Sequence, residues 1–444
     1  MRRILYDGLV RWKLSAGRKP LILEGARQVG KTWLVDEFGR NEYEHYIKIN
    51  CDNNPKVQDL FVDYDVKRIL RIVSALAGKP VLPGRTLIFF DEIQELDKAL
   101  GSLKYFAEDV PEYHVVVAGS LLGIKYRQGE SFPVGKVDTL RLFPLNFNEF
   151  LMAVGEESKE EILSSCAWGD IKSLKSSYIE LLRQYYFTGG MPAAVKEYAQ
   201  SQDVLRVREI QLAILHDYDD DIAKHAPRTE VAKIRIVWNA IPSQLAKENK
   251  KFVYGAIRKG ARAAEYENAI QWLCDAGLVH KVHRVSKVAV PLKFYEDFSA
   301  FKLFMNDSGL FGALSATPIQ DILLGNDIFE EYKGAFTEQF VEQQVASCGT
   351  LSLYYYTNSN STSEIDFVMQ CDSKALPIEV KAEENLHSRS LKALLSRDES
   401  LRGLRISMSD WREETRFDNL PLYAVYSYFR RQDERPLDKA GMEG

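Results

Sequence analysis

Four short apolar runs punctuate the first third of the chain. Leu21-Ile22-Leu23 leads into a Gly-rich turn, and Tyr46-Ile47-Lys48-Ile49 follows. Thr86-Leu87-Ile88-Phe89-Phe90 and His114-Val115-Val116-Val117-Ala118 are continuous. Unbroken rather than alternating runs are what strands covered on both faces show. Helical stretches separate them, so residues 1–150 predict a doubly wound α/β domain with a parallel sheet. Residues 151–228 read as helices with charged faces. Residues 229–320 predict helices at Glu230 to Lys247, Val253 to Arg258 and Ala263 to Ala276. Gly277 stops the third, and Leu278 to Val285 is a strand. Three helices followed by a β-ribbon predict a winged-helix domain. Residues 321–444 predict an α/β domain. It has a helix around Phe336 to Cys348, strands at Ser352 to Thr357, Ile365 to Met369 and Leu376 to Val380, and a helix after Ser388.

The 444 residues are 45% apolar and 27% charged, an ordinary globular balance, and length alone suggests about three domains. The formal net charge of −5 excludes a uniformly basic coat. It does not exclude a local one: Lys247 to Lys302 holds 11 Lys plus Arg against 6 Asp plus Glu. Lys250, Lys251, Arg258, Lys259 and Arg262 cluster before or on the expected recognition helix, with Lys281, Arg284 and Lys287 on the wing. That is the footprint of a DNA-contacting module. Five scattered cysteines with no CxxC pair point away from a disulfide framework or zinc site. Charge enters too early after Met1 for a signal peptide, and no run approaches the roughly 20 apolar residues of a membrane span. The expectation is a soluble cytoplasmic protein that uses no membrane.

Gly25-Ala26-Arg27-Gln28-Val29-Gly30-Lys31-Thr32 fits G-x-x-x-x-G-K-[ST] between a strand and an amphipathic helix. Such a loop curls its N–H groups around phosphates at a helix N-terminus. Lys31 is expected on the β- and γ-phosphates of ATP, and the Thr32 hydroxyl on Mg²⁺. Asp91 and Glu92 end an apolar strand at the edge where nucleotides bind. Asp91 is expected to hold the Mg²⁺, and Glu92 to orient and activate the attacking water. Ser120, after the next apolar strand, falls where a polar group senses the γ-phosphate. The run Asp217 to Asp221 lacks calcium-loop spacing and reads as a solvated connector, and His280 and His283 read as structural.

The strings GARQVGKT, FFDEIQE and AGSLLG resemble the P-loop AAA+ ATPases. Together with LFPLNFNEF, TGGMP, VWNAIPSQLAKENKKFVYGAI, FKLFMNDSGL and IEVK, they resemble one bacterial and archaeal family. That family joins an AAA-type ATPase domain to a C-terminal domain of unknown function. The resemblance implies a parallel AAA+ sheet, a helical lid over 151–228, and a possible homo-oligomer. It implies a contact of Pro192 with the nucleotide base. Relatives carry Gly-Arg where this chain has Gly135-Lys136, which leaves Arg127 and Arg141 as arginine-finger candidates.

In the tail, Glu364 and Asp366 share one face of a strand, as do Glu379 and Lys381 on the next. Two carboxylates and a lysine can then converge on Mg²⁺ or Mn²⁺, with Glu338 on the preceding helix as a further ligand. The arrangement is similar to the PD-(D/E)xK nucleases, Holliday-junction resolvases among them. It implies a catalytic set of Asp366, Glu379 and Lys381 and metal ligands Glu338, Asp366 and Glu379. The chain as a whole reads as an Mg-ATP-hydrolysing, DNA-associated protein with a nuclease-like tail. The alternative is a signalling switch whose tail binds a protein partner and cuts nothing.

Overall fold

The computed structural model describes residues 1–52, 54–127, 133–247, 250–324, 327–358, 363–384 and 388–433. They form two compact units. One comprises residues 2–143 together with 271–278; the other comprises 144–270 and 279–444.

The first unit is built on five parallel strands: β1 (Leu21–Glu24), β2 (His45–Asn50), β3 (Thr86–Asp91), β4 (His114–Ala118) and β5 (Asp138–Arg141). Their spatial order is β2-β3-β4-β1-β5. β3 and β4 are buried at every position. Ile22, Ile88, Phe90, Val115 and Val117 face a core that includes Ile69, Leu103 and Phe106. Leu34, Val35 and Phe38 of the helix Lys31–Glu42, which packs on β3 and β4, are also fully buried. Cover on both faces is why these strands are continuously apolar. β5 has no such run, because as an edge strand it is exposed at every second position.

The four expected strands are present and the fifth was not predicted. The helix Val66–Ala77 begins at Asp65, whose side chain accepts from Arg68 N at 3.0 Å. Residues 271–278 belong to this unit although they lie far along the chain. A Cβ on Gly277 would come within 3.3 Å of Ala26 N, so this turn backs onto the glycine-rich loop.

The second unit opens with six helices from Phe147 to His225. Asn146 and Glu149 form a reciprocal capping box at the first. The helices Val231–Leu245, Tyr254–Ile257 and Ala263–Asp275 lie where the periodicity placed them. β6 (Val279–Val285) and β7 (Glu296–Met305) form the expected antiparallel ribbon. β6 also pairs in parallel with β8 (Leu353–Thr357), at His283↔Tyr354. The ribbon is thereby continuous with the tail strands β9 (Glu364–Cys371), β10 (Lys374–Val380), β11 (Gly403–Ser407), β12 (Arg412–Glu413) and β13 (Phe417–Pro421). One sheet of order β12-β13-β11-β10-β9-β8-β6-β7 results. Segments expected to part at 228 and 320 share this unit. Backbone hydrogen bonding across β6 and β8 joins the last two of these segments.

The helix Asp327–Ala346 fastens the unit with buried glutamines. Gln339 exchanges hydrogen bonds with both backbone groups of Met305, at 2.9 and 2.6 Å. Gln343 accepts from Ser308 N at 2.9 Å, and Gln344 accepts from Phe147 N at 2.8 Å. Asp307 caps the helix Ser308–Leu314 and accepts from Gly190 N at 2.5 Å. Burial pushes the Asp307 carboxyl up to about 6 against these backbone donors. No described helix is long and apolar enough to cross a membrane.

Candidate active site

β1 delivers the chain to the glycine-rich loop at the carboxyl edge of the parallel sheet. Gly25 has φ 148°, Gln28 φ 67° and Gly30 φ 95°, a run of positive angles that curls the backbone. Ala26 and Val29 are buried beneath the loop, while Arg27 is exposed at its tip. Lys31 opens the following helix. Its Nζ donates to Gly25 O at 2.7 Å and Ala26 O at 2.8 Å. Burial lowers the Lys31 ammonium to about 8, even though Glu92 and Asp91 pull the other way.

Asp91 ends β3. It accepts from Thr32 Oγ1 at 3.0 and 3.2 Å and pairs with Lys48 Nζ at 3.3 Å. Burial raises the Asp91 carboxyl, while Thr32 and Lys48 oppose that. Glu92 follows in the left-handed region, and its Oε2 accepts from Ser120 N and Ser120 Oγ, both at 3.2 Å. The structure therefore brings Lys31, Thr32, Asp91, Glu92 and Ser120 to one sheet edge. A loop curled by positive φ angles beside a buried ammonium, with a hydroxyl and a carboxylate in contact, fits a Mg-nucleoside triphosphate.

Residues 17–151 match the AAA domain family. The chain carries an AAA-type ATPase domain.

Two further segments match domains of unknown function, residues 179–321 (DUF8612) and 333–425 (DUF4143). No curated protein matches the chain. Among solved structures, the chain is similar to the Walker-type ATPase of Pyrococcus abyssi. Identity is 17%, coverage is 71% of this chain and 95% of that one, and the TM-score is 0.44. It is also similar to the RuvB Holliday junction branch migration motor of Thermotoga maritima, at 15% identity, 66% and 91% coverage and TM-score 0.32. The Orc1 protein of Aeropyrum pernix, solved in complex with DNA, gives 12%, 71% and 91%, and 0.30.

Three features of the AAA domain site escaped the sequence reading. Arg3 is buried and donates to Val29 O at 2.8 Å and Phe143 O at 2.6 Å, bracing the loop from behind. Lys48 sits mid-strand, where a lysine among apolar neighbours was the available signal. Gln94 donates to Glu92 Oε2 at 2.6 Å. Of the finger candidates, Arg141 is exposed at the end of β5 and lines a small cavity with Gly25, Ser120 and Gly277. The Arg127 side chain lies outside the described residues. Lys136 pairs with Glu108 at 2.9 Å. Pro192 belongs to the other unit and starts the helix Pro192–Ser201, as a proline at the first turn should.

The tail carboxylates are arranged differently from expectation. Glu338, Glu364 and Asp366 converge on the buried Lys302 of β7. Lys302 Nζ lies 2.5 Å from Glu364 and 3.4 Å from Glu338, and 4.9 Å from the Tyr355 ring centroid. Lys250 also pairs with Glu338. Burial opposes the charge on Lys302, but Glu338, Glu364 and Asp366 outweigh it and hold the ammonium well above its ordinary range. Burial likewise opposes the Glu338 charge, and Lys250 and Lys302 outweigh it, so that carboxyl moves down. Asp366 moves up through burial and the neighbouring Glu338 charge. It also accepts from Val380 N at 2.7 Å. Glu379 pairs with Lys381 at 2.8 Å and accepts from Leu391 N at 3.3 Å.

The metal expected at Glu338, Asp366 and Glu379 does not fit these residues. Lys302 and Lys250 already pair with Glu338, and Lys381 with Glu379, so a divalent ion would have to displace ammonium groups that these carboxylates already hold. Among the described residues no group of three or more His, Cys, Asp or Glu side chains is placed to hold a metal.

The basic face is also smaller than its sequence. Lys250 is spent on Glu338, and Arg284 pairs with Asp297. Arg258, Lys259 and Arg262 remain exposed. His280 bonds Glu342 at 2.9 Å and His283 lies beside Phe298 and Phe301, structural places for both. Asp219 makes a two-pronged pair with Arg235, at 2.6 and 2.7 Å.

Two outcomes are expected. Phosphates need the protonated Lys31, and the free protein loses that proton through about pH 8. ATP affinity in fluorescent-nucleotide titrations should be flat below neutrality and fall about tenfold per pH unit above pH 8, with proton uptake on binding. Lys302→Met leaves three carboxylates short of a counter-charge. It should cost about 3–5 kcal/mol in urea unfolding at pH 7.

Proposed function

We propose that the chain is a Mg-ATP hydrolase whose nucleotide state controls a DNA-holding second unit that does not cut. The observation that carries the first half is the assembly of Lys31, Thr32, Asp91, Glu92 and Ser120 on one sheet edge. Lys31 holds the β- and γ-phosphates. Thr32 and Asp91 hold Mg²⁺, which supplies neutralisation of phosphate charge. Glu92 takes a proton from the attacking water, and Ser120 reads the γ-phosphate.

Arg258, Lys259 and Arg262, exposed after a short helix, support a nucleic-acid contact. Phe298 on β7 and Phe294 in the short helical turn before it are 70% and 84% exposed, and exposed aromatic faces near lysines suit stacked bases. Against cleavage stands Lys302, which fills the carboxylate cluster. The same observation, with Lys250 and Arg284 turned inward, favours a second reading, in which the tail binds a protein.

Glu92→Gln should retain ATP binding within about twofold and lose about a hundredfold or more in turnover. Duplex or single-stranded DNA should raise the parent ATPase rate, less so as salt rises, and the Arg258→Ala, Lys259→Ala, Arg262→Ala combination should remove that stimulation. Gels of the same reactions in Mg²⁺ and Mn²⁺ should show intact DNA. A rate indifferent to DNA selects the protein-binding reading.

A further inference from the structure

Glu92 is held more firmly than a terminal strand acid needs to be. It stands at φ 53°, ψ 46°, at the head of the short helix Ile93–Glu95, a conformation that costs a non-glycine residue energy. Its Oε2 accepts three hydrogen bonds: from Gln94 Nε2 at 2.6 Å, Ser120 N at 3.2 Å and Ser120 Oγ at 3.2 Å. Gln94 is only 5% exposed, and its Oε1 is buried with no hydrogen-bond partner. A half-satisfied buried amide is a costly core residue, and an apolar side chain of similar volume would fill the space without that cost. What the glutamine adds is its bond to Glu92.

The neighbouring chain is shaped to admit it. A Cβ on Gly119 would lie 1.9 Å from Gln94 Oε1, so the residue that follows β4 lacks a side chain where the amide passes.

We propose that Gln94 is the positioning residue of the hydrolytic centre, holding Glu92 by Oε2 so that Oε1 is presented to the attacking water. The proposal rests on the reading of Glu92 as the group that activates water. The Ser120 hydroxyl has one hydrogen to give, and here it goes to Glu92. A γ-phosphate oxygen beside Ser120 competes for that hydrogen. When Ser120 turns to the phosphate, the Gln94 amide and Ser120 N keep Glu92 in place. The water oxygen then bonds to the γ-phosphorus, its proton passes to Glu92 Oε1, and the bond from the γ-phosphorus to the bridging oxygen breaks, leaving ADP. Gln94 thus acts through Glu92 and touches neither nucleotide nor water.

The test compares Gln94→Met and Gly119→Ala with the parent for kcat, KM and nucleotide affinity, and repeats Gln94→Met in a Glu92→Gln background. Gly119→Ala displaces the amide without removing it, and carries the test if the methionine variant folds poorly. Both single variants should lose at least about tenfold in kcat with KM within about twofold. In the Glu92→Gln background Gln94→Met should cost nothing more. Parent-like kcat in both single variants, or an undiminished further loss in the Glu92→Gln background, would overturn the proposal. If Glu92→Gln itself turns over at the parent rate, the reading of Glu92 falls and this proposal with it. If Glu92→Gln is inactive while Gln94→Met is not, only this proposal falls.

Discussion

Burying an ammonium group is the constraint on which both units are organised, and they meet it in opposite ways. In the AAA domain, Lys31 is held by the carbonyls of Gly25 and Ala26, and its proton is bound more weakly than a lysine's ordinarily is. Neutral carbonyls compensate a buried charge only in part. The site is improved by anything that brings negative charge to the loop, which is what a phosphate does. In the second unit, Lys302 is surrounded by Glu338, Glu364 and Asp366 and binds its proton more tightly than usual. That charge is answered by carboxylates of the chain itself. One lysine is poised for a ligand; the other is a finished piece of structure.

The same contrast separates the two sheets. β3 and β4 are buried along their whole length because helices cover both faces, and the polar groups at their carboxyl ends, Asp91, Glu92 and Ser120, fall together at one edge. The edge is therefore where chemistry is concentrated. In the eight-stranded sheet, charged and amide side chains run into the interior. Gln339, Gln343 and Gln344 satisfy backbone groups of Met305, Ser308 and Phe147, where an apolar helix would leave those groups unpaired. These bonds join segments distant in sequence and account for the ribbon, the helices and the tail sharing one unit.

What the sequence made legible follows from that difference. The phosphate loop is local: a strand, a turn and a helix fix where Lys31 and Thr32 go. β5 was invisible because an edge strand reading Asp-Thr-Leu-Arg has no apolar run. The tail acids were placed on the correct strands, and Glu379 and Lys381 do share a face. Their partner was not anticipated, because Lys302 lies more than thirty residues before Glu338 in sequence and had been counted with a basic surface. Lys250 was misread in the same way. Charge counts report composition and say nothing of which way a side chain turns. Gln94 is the converse case: visible in the string FFDEIQE, but given meaning only by Gly119 just after the next strand.

The central claim, that the Lys31–Asp91–Glu92 edge hydrolyses Mg-ATP, is tested most directly by a single turnover. The full-length protein is held in excess over ATP labelled at the γ-phosphate, and inorganic phosphate is followed with Mg²⁺ and with chelator. The account predicts complete conversion of bound ATP to ADP and phosphate with Mg²⁺, and retention of intact ATP without it. Bound ATP that stays intact in Mg²⁺ over many hours would contradict it.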